Sequence, residues 1–181
     1  MSMALAPRAR NRRWYALVVS FLASVALCAA TATASATPGS YFALENANSR
    51  LCMSVPGDNI YEGALVNQYT CGWYPDQYWF TVQSDSHPGW YYTLPRQDST
   101  LCVTYTPNST AQLSLQWCGL NAADGNTNTQ LWNFNRTTLE MSTFQGWSMS
   151  VPGANKGVAP INIYPYGDYP DQSWYVVLLQ G

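Results

Sequence analysis

The side chains in this 181-residue chain that could do covalent chemistry or hold a metal are few: five cysteines, one histidine and ten carboxylates. His87 stands alone between Ser86 and Pro88, with no second histidine and no close cysteine pair to complete a zinc site. A single imidazole in a turn-like segment is a poor general base without a partner to orient it. Glycoside cleavage needs two carboxyl groups converging on one bond, and the scattered Glu45, Glu62 and Glu140 give no sign of converging. Nor is there a glycine-rich phosphate loop or an exposed nucleophile motif. These residue types predict a protein that is not an enzyme and needs neither cofactor nor metal.

The cysteines point to oxidation instead. Cys28 lies in an apolar N-terminal stretch, and the other four, Cys52, Cys71, Cys102 and Cys118, form an even set suited to an oxidising compartment, with three pairings open. The N-terminus agrees. Arg8, Arg10, Arg12 and Arg13 precede an apolar run from Trp14 to Ala30, and Ala34, Ser35 and Ala36 offer a small-residue cleavage site. Residues 1–36 thus read as a secretory signal peptide and 37–181 as one domain. A membrane anchor is the alternative, since the run is close to a bilayer-spanning length, but no basic stop-transfer cluster follows it. The expected product is extracellular and monomeric, with no membrane attachment after cleavage. Asn108 with Thr110, and Asn135 with Thr137, would accept a glycan in a host that glycosylates exported proteins.

Without the signal, Arg50, Arg96, Arg136 and Lys156 face all ten carboxylates, a formal charge of −6. Four dispersed cations make no basic surface able to displace counterions from a phosphate backbone, so nucleic acid is excluded as a partner. A domain of this size can bury about 70% of the surface its unfolded chain exposes, enough for one core.

What must position any site is a threefold repeat. Gln77-Tyr78-Trp79 returns as Gln130-Leu131-Trp132 and Gln172-Ser173-Trp174, the tryptophans 53 and 42 residues apart. Met53-Ser54-Val55-Pro56-Gly57 returns as Met149-Ser150-Val151-Pro152-Gly153, and Tyr74-Pro75-Asp76-Gln77 as Tyr169-Pro170-Asp171-Gln172. Laying the third repeat on the first puts Ser148 on Cys52 and Tyr166 on Cys71, so both cysteines vanish together. That joint loss selects Cys52 with Cys71 and Cys102 with Cys118. About four short runs of β-branched and aromatic residues per repeat, parted by Gly, Pro, Asn, Asp and Ser, predict strands, and no helical period competes. Twelve strands in three fours predict an all-β fold, a β-trefoil with pseudo-threefold symmetry. Asn121 to Thr129 reads as a surface loop.

The three Gln-x-Trp motifs, the chain length and the cysteine placement resemble the ricin B-chain-like (ricin-type) lectin family over the whole of residues 37–181. The resemblance implies that Trp79, Trp132 and Trp174 fill the core while Gln77, Gln130 and Gln172 hydrogen-bond buried backbone. It also implies where sugar would bind: an aspartate two residues after the first cysteine, an aromatic two before the second, and polar residues beside that aromatic and beside the motif glutamine. An aromatic face stacks on the C–H face of a pyranose, and convergent polar groups hold its hydroxyls. Carried over, the first repeat offers Ser54, Asn67, Tyr69 and Asp76, and the third offers Ser150, Asn162, Tyr164 and Asp171. Both keep the aromatic, and both have serine where the family has its principal aspartate. The second repeat has Thr104, Ser114, Gln116 and Thr129 and reads as structural. Tyr74 and Tyr169 could add an exposed wall to those pockets, but are expected rather to cover the core at their loops.

The expected function is secreted, non-catalytic carbohydrate binding through the first and third repeats. The alternative is a secreted trefoil that has lost sugar binding and blocks or scaffolds a separate protein, which the missing aspartates favour. Sugar binding predicts Tyr69 and Tyr164 exposed in concave pockets beside Asp76 and Asp171, whereas the protein-partner reading requires only an apolar loop surface and allows those tyrosines to be buried.

Overall fold

A computed structural model describes residues 40–119 and 126–179. The predicted signal, residues 1–36, and part of the predicted Asn121–Thr129 loop lie outside the described residues.

Each repeat contributes its strands in the same order. The first supplies β1 (Phe42–Asn46), β2 (Leu51–Ser54), β3 (Asn67–Thr70) and β4 (Trp79–Gln83). The second supplies β5 (Tyr91–Pro95), β6 (Leu101–Thr104), β7 (Ser114–Trp117) and β8 (Leu131–Asn135). The third supplies β9 (Glu140–Thr143), β10 (Trp147–Ser150), β11 (Ala159–Pro160), β12 (Asn162–Pro165) and β13 (Trp174–Leu178). No α-helix occurs among the described residues, and none of them forms a helix long and apolar enough to cross a membrane.

First and last strands of the repeats close a six-stranded antiparallel barrel. β4 pairs with β5, β8 with β9, and β13 with β1, the last running in full register from Phe42 opposite Leu178 to Asn46 opposite Trp174. Contacts within each repeat complete the ring at Phe42 with Trp79, at Tyr91 with Trp132, and at Glu140 with Ser173. The remaining hairpins, β2–β3, β6–β7 and β10–β12, fold over one end. This is a β-trefoil.

The thirteenth strand, against twelve expected, is the two-residue β11, which pairs with Asn67 and Gln68 of the first repeat. It marks where the three hairpins meet. There the backbone N–H of Val66 donates to Leu113 C=O at 2.9 Å, that of Leu113 to Ile161 C=O at 2.8 Å, and that of Ile161 to Val66 C=O at 3.1 Å. The three residues are fully buried. Such a cyclic exchange satisfies three buried donors and three acceptors where no water can reach them.

Trp79, Trp132 and Trp174 lie at 0 to 1% exposure in the core. Each indole N–H finds an equivalent partner: Met53 C=O at 3.1 Å, Val103 C=O at 3.0 Å and Met149 C=O at 3.1 Å. Apolar burial and a satisfied donor therefore coincide at the same side chain three times. Disulfides join Cys52 to Cys71 and Cys102 to Cys118, the within-repeat pairing expected from the repeat alignment. The third repeat is held by packing and hydrogen bonds alone. Replacing Cys102 and Cys118 together by alanine should lower the unfolding free energy by about 3 kcal/mol, the entropy of the released loop. A urea titration reads this as a reduced midpoint, and an unchanged midpoint would deny the bridge that role.

Candidate functional site

Two equivalent loops build two equivalent clefts. Gly72-Trp73-Tyr74-Pro75-Asp76-Gln77 and Gly167-Asp168-Tyr169-Pro170-Asp171-Gln172 each run from the end of a strand into a single 3₁₀ turn, with proline presetting its first position. The motif glutamine closes the loop on itself. Gln77 Nε2 donates to Thr70 C=O at 2.8 Å while its Oε1 accepts from Gly72 N–H at 3.1 Å. Gln172 repeats this with Pro165 C=O at 3.0 Å and Gly167 N–H at 3.0 Å, and Gln130 with Trp117 C=O and Gly119 N–H, both at 2.9 Å. Leaving such a buried amide unpaired would cost about 1 to 3 kcal/mol, so the loop geometry is strongly held.

Within the loop, glycine decides where the tyrosine goes. A Cβ at Gly72 would collide with the Tyr74 ring, and one at Gly167 with the Tyr169 ring. Each ring therefore folds back over bare backbone. It meets the strand aromatic at an angle, with Tyr69–Tyr74 centroids 6.4 Å apart and Tyr164–Tyr169 centroids 6.0 Å apart. Tyr74 and Tyr169, expected to cover the core, instead stand 48% and 49% exposed and wall the clefts. The expectation failed because it lacked the glycine beneath each ring.

The pleat brings the other residues to the same side. Ser54 lies directly across from Asn67, and Ser150 from Asn162, with Tyr69 and Tyr164 two residues further along the same face. Asp76 and Asp171 come from the loops and are buried, at 6% and 4% exposure. Ser54 Oγ donates to Asp76 Oδ2, and Ser150 Oγ to Asp171 Oδ2 at 2.5 Å, where Val151 N–H also donates at 2.9 Å. The serine that replaces the expected aspartate thus hydrogen-bonds a carboxylate that the loop supplies beside the motif glutamine. A second carboxylate in place of that serine would repel the first, so the serine and the loop aspartate belong together.

All eight predicted residues line or support the two clefts, of about 530 Å³ in the first repeat and 470 Å³ in the third. Tyr69 and Tyr164 are 46% and 44% exposed there. Each cleft also takes a wall residue from a neighbouring repeat that sequence reasoning missed, Val158 in the first and Thr110 in the third. Thr110 C=O accepts from Asn162 Nδ2 at 3.1 Å, and the Asn162 Oδ1 is buried without a partner. Where the first repeat has Cys71, the third has exposed Tyr166, whose phenol is pushed up from its ordinary value by the neighbouring Asp168 charge. In the second repeat, Gln116 occupies the place of the tyrosine and donates to Ser114, while Thr104 accepts from Gln130. Its polar groups are consumed by the scaffold.

A threefold barrel bearing aromatic clefts with buried carboxylates defines a β-trefoil of lectin-like build. The chain belongs to the ricin-type beta-trefoil lectin domain-like family, whose model matches residues 10–116. Solved structures share the fold at low identity. A designed threefold symmetric protein, ThreeFoil, is 21% identical with a TM-score of 0.62, covering 77% of this chain and 99% of that one. The C-half of an earthworm R-type lectin, in complex with GalNAc, is 12% identical with a TM-score of 0.61, over 78% and 100%. The β-trefoil lectin of the Vibrio vulnificus hemolysin/cytolysin, with N-acetyl-D-lactosamine bound, is 20% identical with a TM-score of 0.59, over 78% and 96%. No curated protein matches the sequence.

Two substitutions test this construction. Gly167→Ala should drive Tyr169 off the backbone and break the Tyr164–Tyr169 contact with little change in the core, as a crystal structure of the variant would reveal. Ser150→Asp should place a second carboxyl group against Asp171 and raise the pKa of one of the pair in the folded state. Its destabilisation is then largest at neutral pH and relieved as pH falls through that raised value, which thermal melts between pH 4 and 8 would follow.

Proposed function

We propose that this protein is a secreted, non-catalytic carbohydrate-binding protein that holds sugar in the clefts of its first and third repeats. The observation that carries the reading is the duplicated cleft: an exposed tyrosine pair, a buried carboxylate and an asparagine recur in the same arrangement in two repeats and are absent together from the second. Chance preservation of a scaffold does not require exposed rings in concave pockets. A sugar does.

In this reading Tyr69 and Tyr164 stack on the apolar face of a pyranose, and Tyr74 and Tyr169 close the second side. Asp76 and Asp171 accept from neighbouring hydroxyls, their Oδ2 already fixed by serine so that the acceptor is preorganised rather than ordered on binding. Asn67 and Asn162 complete the polar set. Serine in place of the family's principal aspartate, paired with the loop carboxylate, argues for a specificity shifted from the usual one of the family. Sugar-bound relatives in the earthworm and Vibrio structures support carbohydrate as the ligand class.

Secretion rests on the N-terminal pattern of residues 1–36 and on two disulfides, which persist in oxidising compartments. Each cleft alone is expected to bind weakly. Two clefts on one rigid body raise the apparent affinity for a polymer or glycan-coated surface that spans both.

The test is a broad glycan and polysaccharide array with the oxidised protein, beside the double variant Tyr69→Ala, Tyr164→Ala. Binding that the double variant loses by at least about tenfold, the worth of an aromatic contact, is the expected result. Silence across the array would overturn the lectin reading and turn attention to a protein partner.

A further inference from the structure

Beside the first-repeat cleft lies a second hollow of about 280 Å³, and Pro56 and Asn67 line both. Tyr61 and Leu65, 60% and 50% exposed, give it an apolar side, and Gln112 of the second repeat gives it a polar one. The connection from Val55 to Asn67 is one residue longer than that from Val151 to Asn162, and the third repeat has no aromatic in that interval. Tyr61 is therefore an addition peculiar to the first repeat.

The backbone that carries Tyr61 is fixed. Ala64 N–H donates to Tyr61 C=O at 3.0 Å, closing a tight turn in which Gly63 adopts a φ of +88°, and Gly63 N–H donates to Leu115 C=O at 2.7 Å. The turn that carries Tyr61 is thus tied to a neighbouring repeat and does not have to be ordered by a ligand. Asn67 between the hollows is set as well. Gln112 Nε2 donates both to Asn67 Oδ1 and to Val66 C=O, the latter at 3.1 Å. That occupies the Asn67 carbonyl and leaves its NH₂ as a donor at the wall shared by the two hollows.

We infer that the first repeat holds two consecutive rings of a linear oligosaccharide, one against Tyr69 and Tyr74 and the next beside Tyr61, whereas the third repeat holds a single ring. A stacking face, a shared amide donor and a second stacking face in sequence are what adjacent pyranoses present to a protein, since each ring offers one apolar face and a rim of hydroxyls. The inference rests on the carbohydrate-binding reading above. It assigns the two sites different roles: the first grips the interior of a chain and the third samples single residues.

The experiment isolates each site by removing the other. Tyr164→Ala leaves the first repeat and Tyr69→Ala the third, and both tyrosines are exposed, so the core is untouched. Each variant is titrated calorimetrically with xylo-, cello-, chito- and galacto-oligosaccharides of one to four units. For at least one series, the Tyr164→Ala protein should gain about tenfold in affinity from one unit to two, as one more aromatic contact supplies, and little thereafter. Adding Tyr61→Ala should cancel that gain and leave the one-unit affinity unchanged. The Tyr69→Ala protein should gain less than about twofold, the statistical benefit of a second ring. A first repeat indifferent to length, a gain that survives Tyr61→Ala, or an equal gain in the third repeat would overturn the inference while leaving a lectin. Failure of the unsubstituted protein to bind any of the four series would overturn this inference alone if the glycan array finds another ligand, and the carbohydrate reading with it if the array is silent.

Discussion

Three backbone hydrogen bonds at the pseudo-threefold axis hold the architecture in register. Val66, Leu113 and Ile161 each donate to the next and accept from the last, so no repeat can shift along its neighbours without stranding a buried donor and a buried acceptor. A one-residue slip would also turn each hairpin inside out, exchanging its core face for its solvent face. The ring thereby fixes the heights of all three hairpins relative to the barrel. Val158 and Thr110 reach clefts that belong to other repeats because of that fixed relation.

The Gln-x-Trp motif connects this frame to the clefts. Its tryptophan belongs to the core, and its glutamine, two residues away, ties down the loop that carries Tyr74 or Tyr169. Scaffold and site are thus coupled through a three-residue unit. That coupling explains why the motif persists in the second repeat, where the cleft chemistry is gone: Gln130 still closes its loop, and Thr104 has become one more acceptor for it. The glutamine is needed to fold whether or not its repeat binds anything.

Much of this was legible in the chain because the sequence is its own comparison. Three copies separate what every repeat needs, Gln and Trp, from what only two keep, Asn, Tyr and Asp, and the joint loss of two cysteines is enough to pair the rest. Contacts between repeats were not legible. Nothing in the periodicity of residues 151–162 says that Val158 will stand beside Tyr69, and β11, two residues ending in a proline, is too short for an alternation signal. Tyr74 and Tyr169 were misjudged for a different reason. Their exposure depends on the missing Cβ of a glycine two residues earlier, a signal present in both repeats but readable only once the ring is known to fold back over it.

The closure of the barrel by β1 and β13 also has a kinetic side. Residues 42–46 find their partners in residues 174–178, a pairing that spans nearly the whole domain and is among the most non-local a chain of this length can make. Contacts of that kind must pay for loop closure before they return any stability, and they place a fold toward the slow end of the millisecond to second range. During synthesis β1 waits with one edge open until the last strand has emerged. No repeat, however well its own disulfide is formed, can close the barrel on its own, and β1 keeps its open edge for as long as β13 is missing.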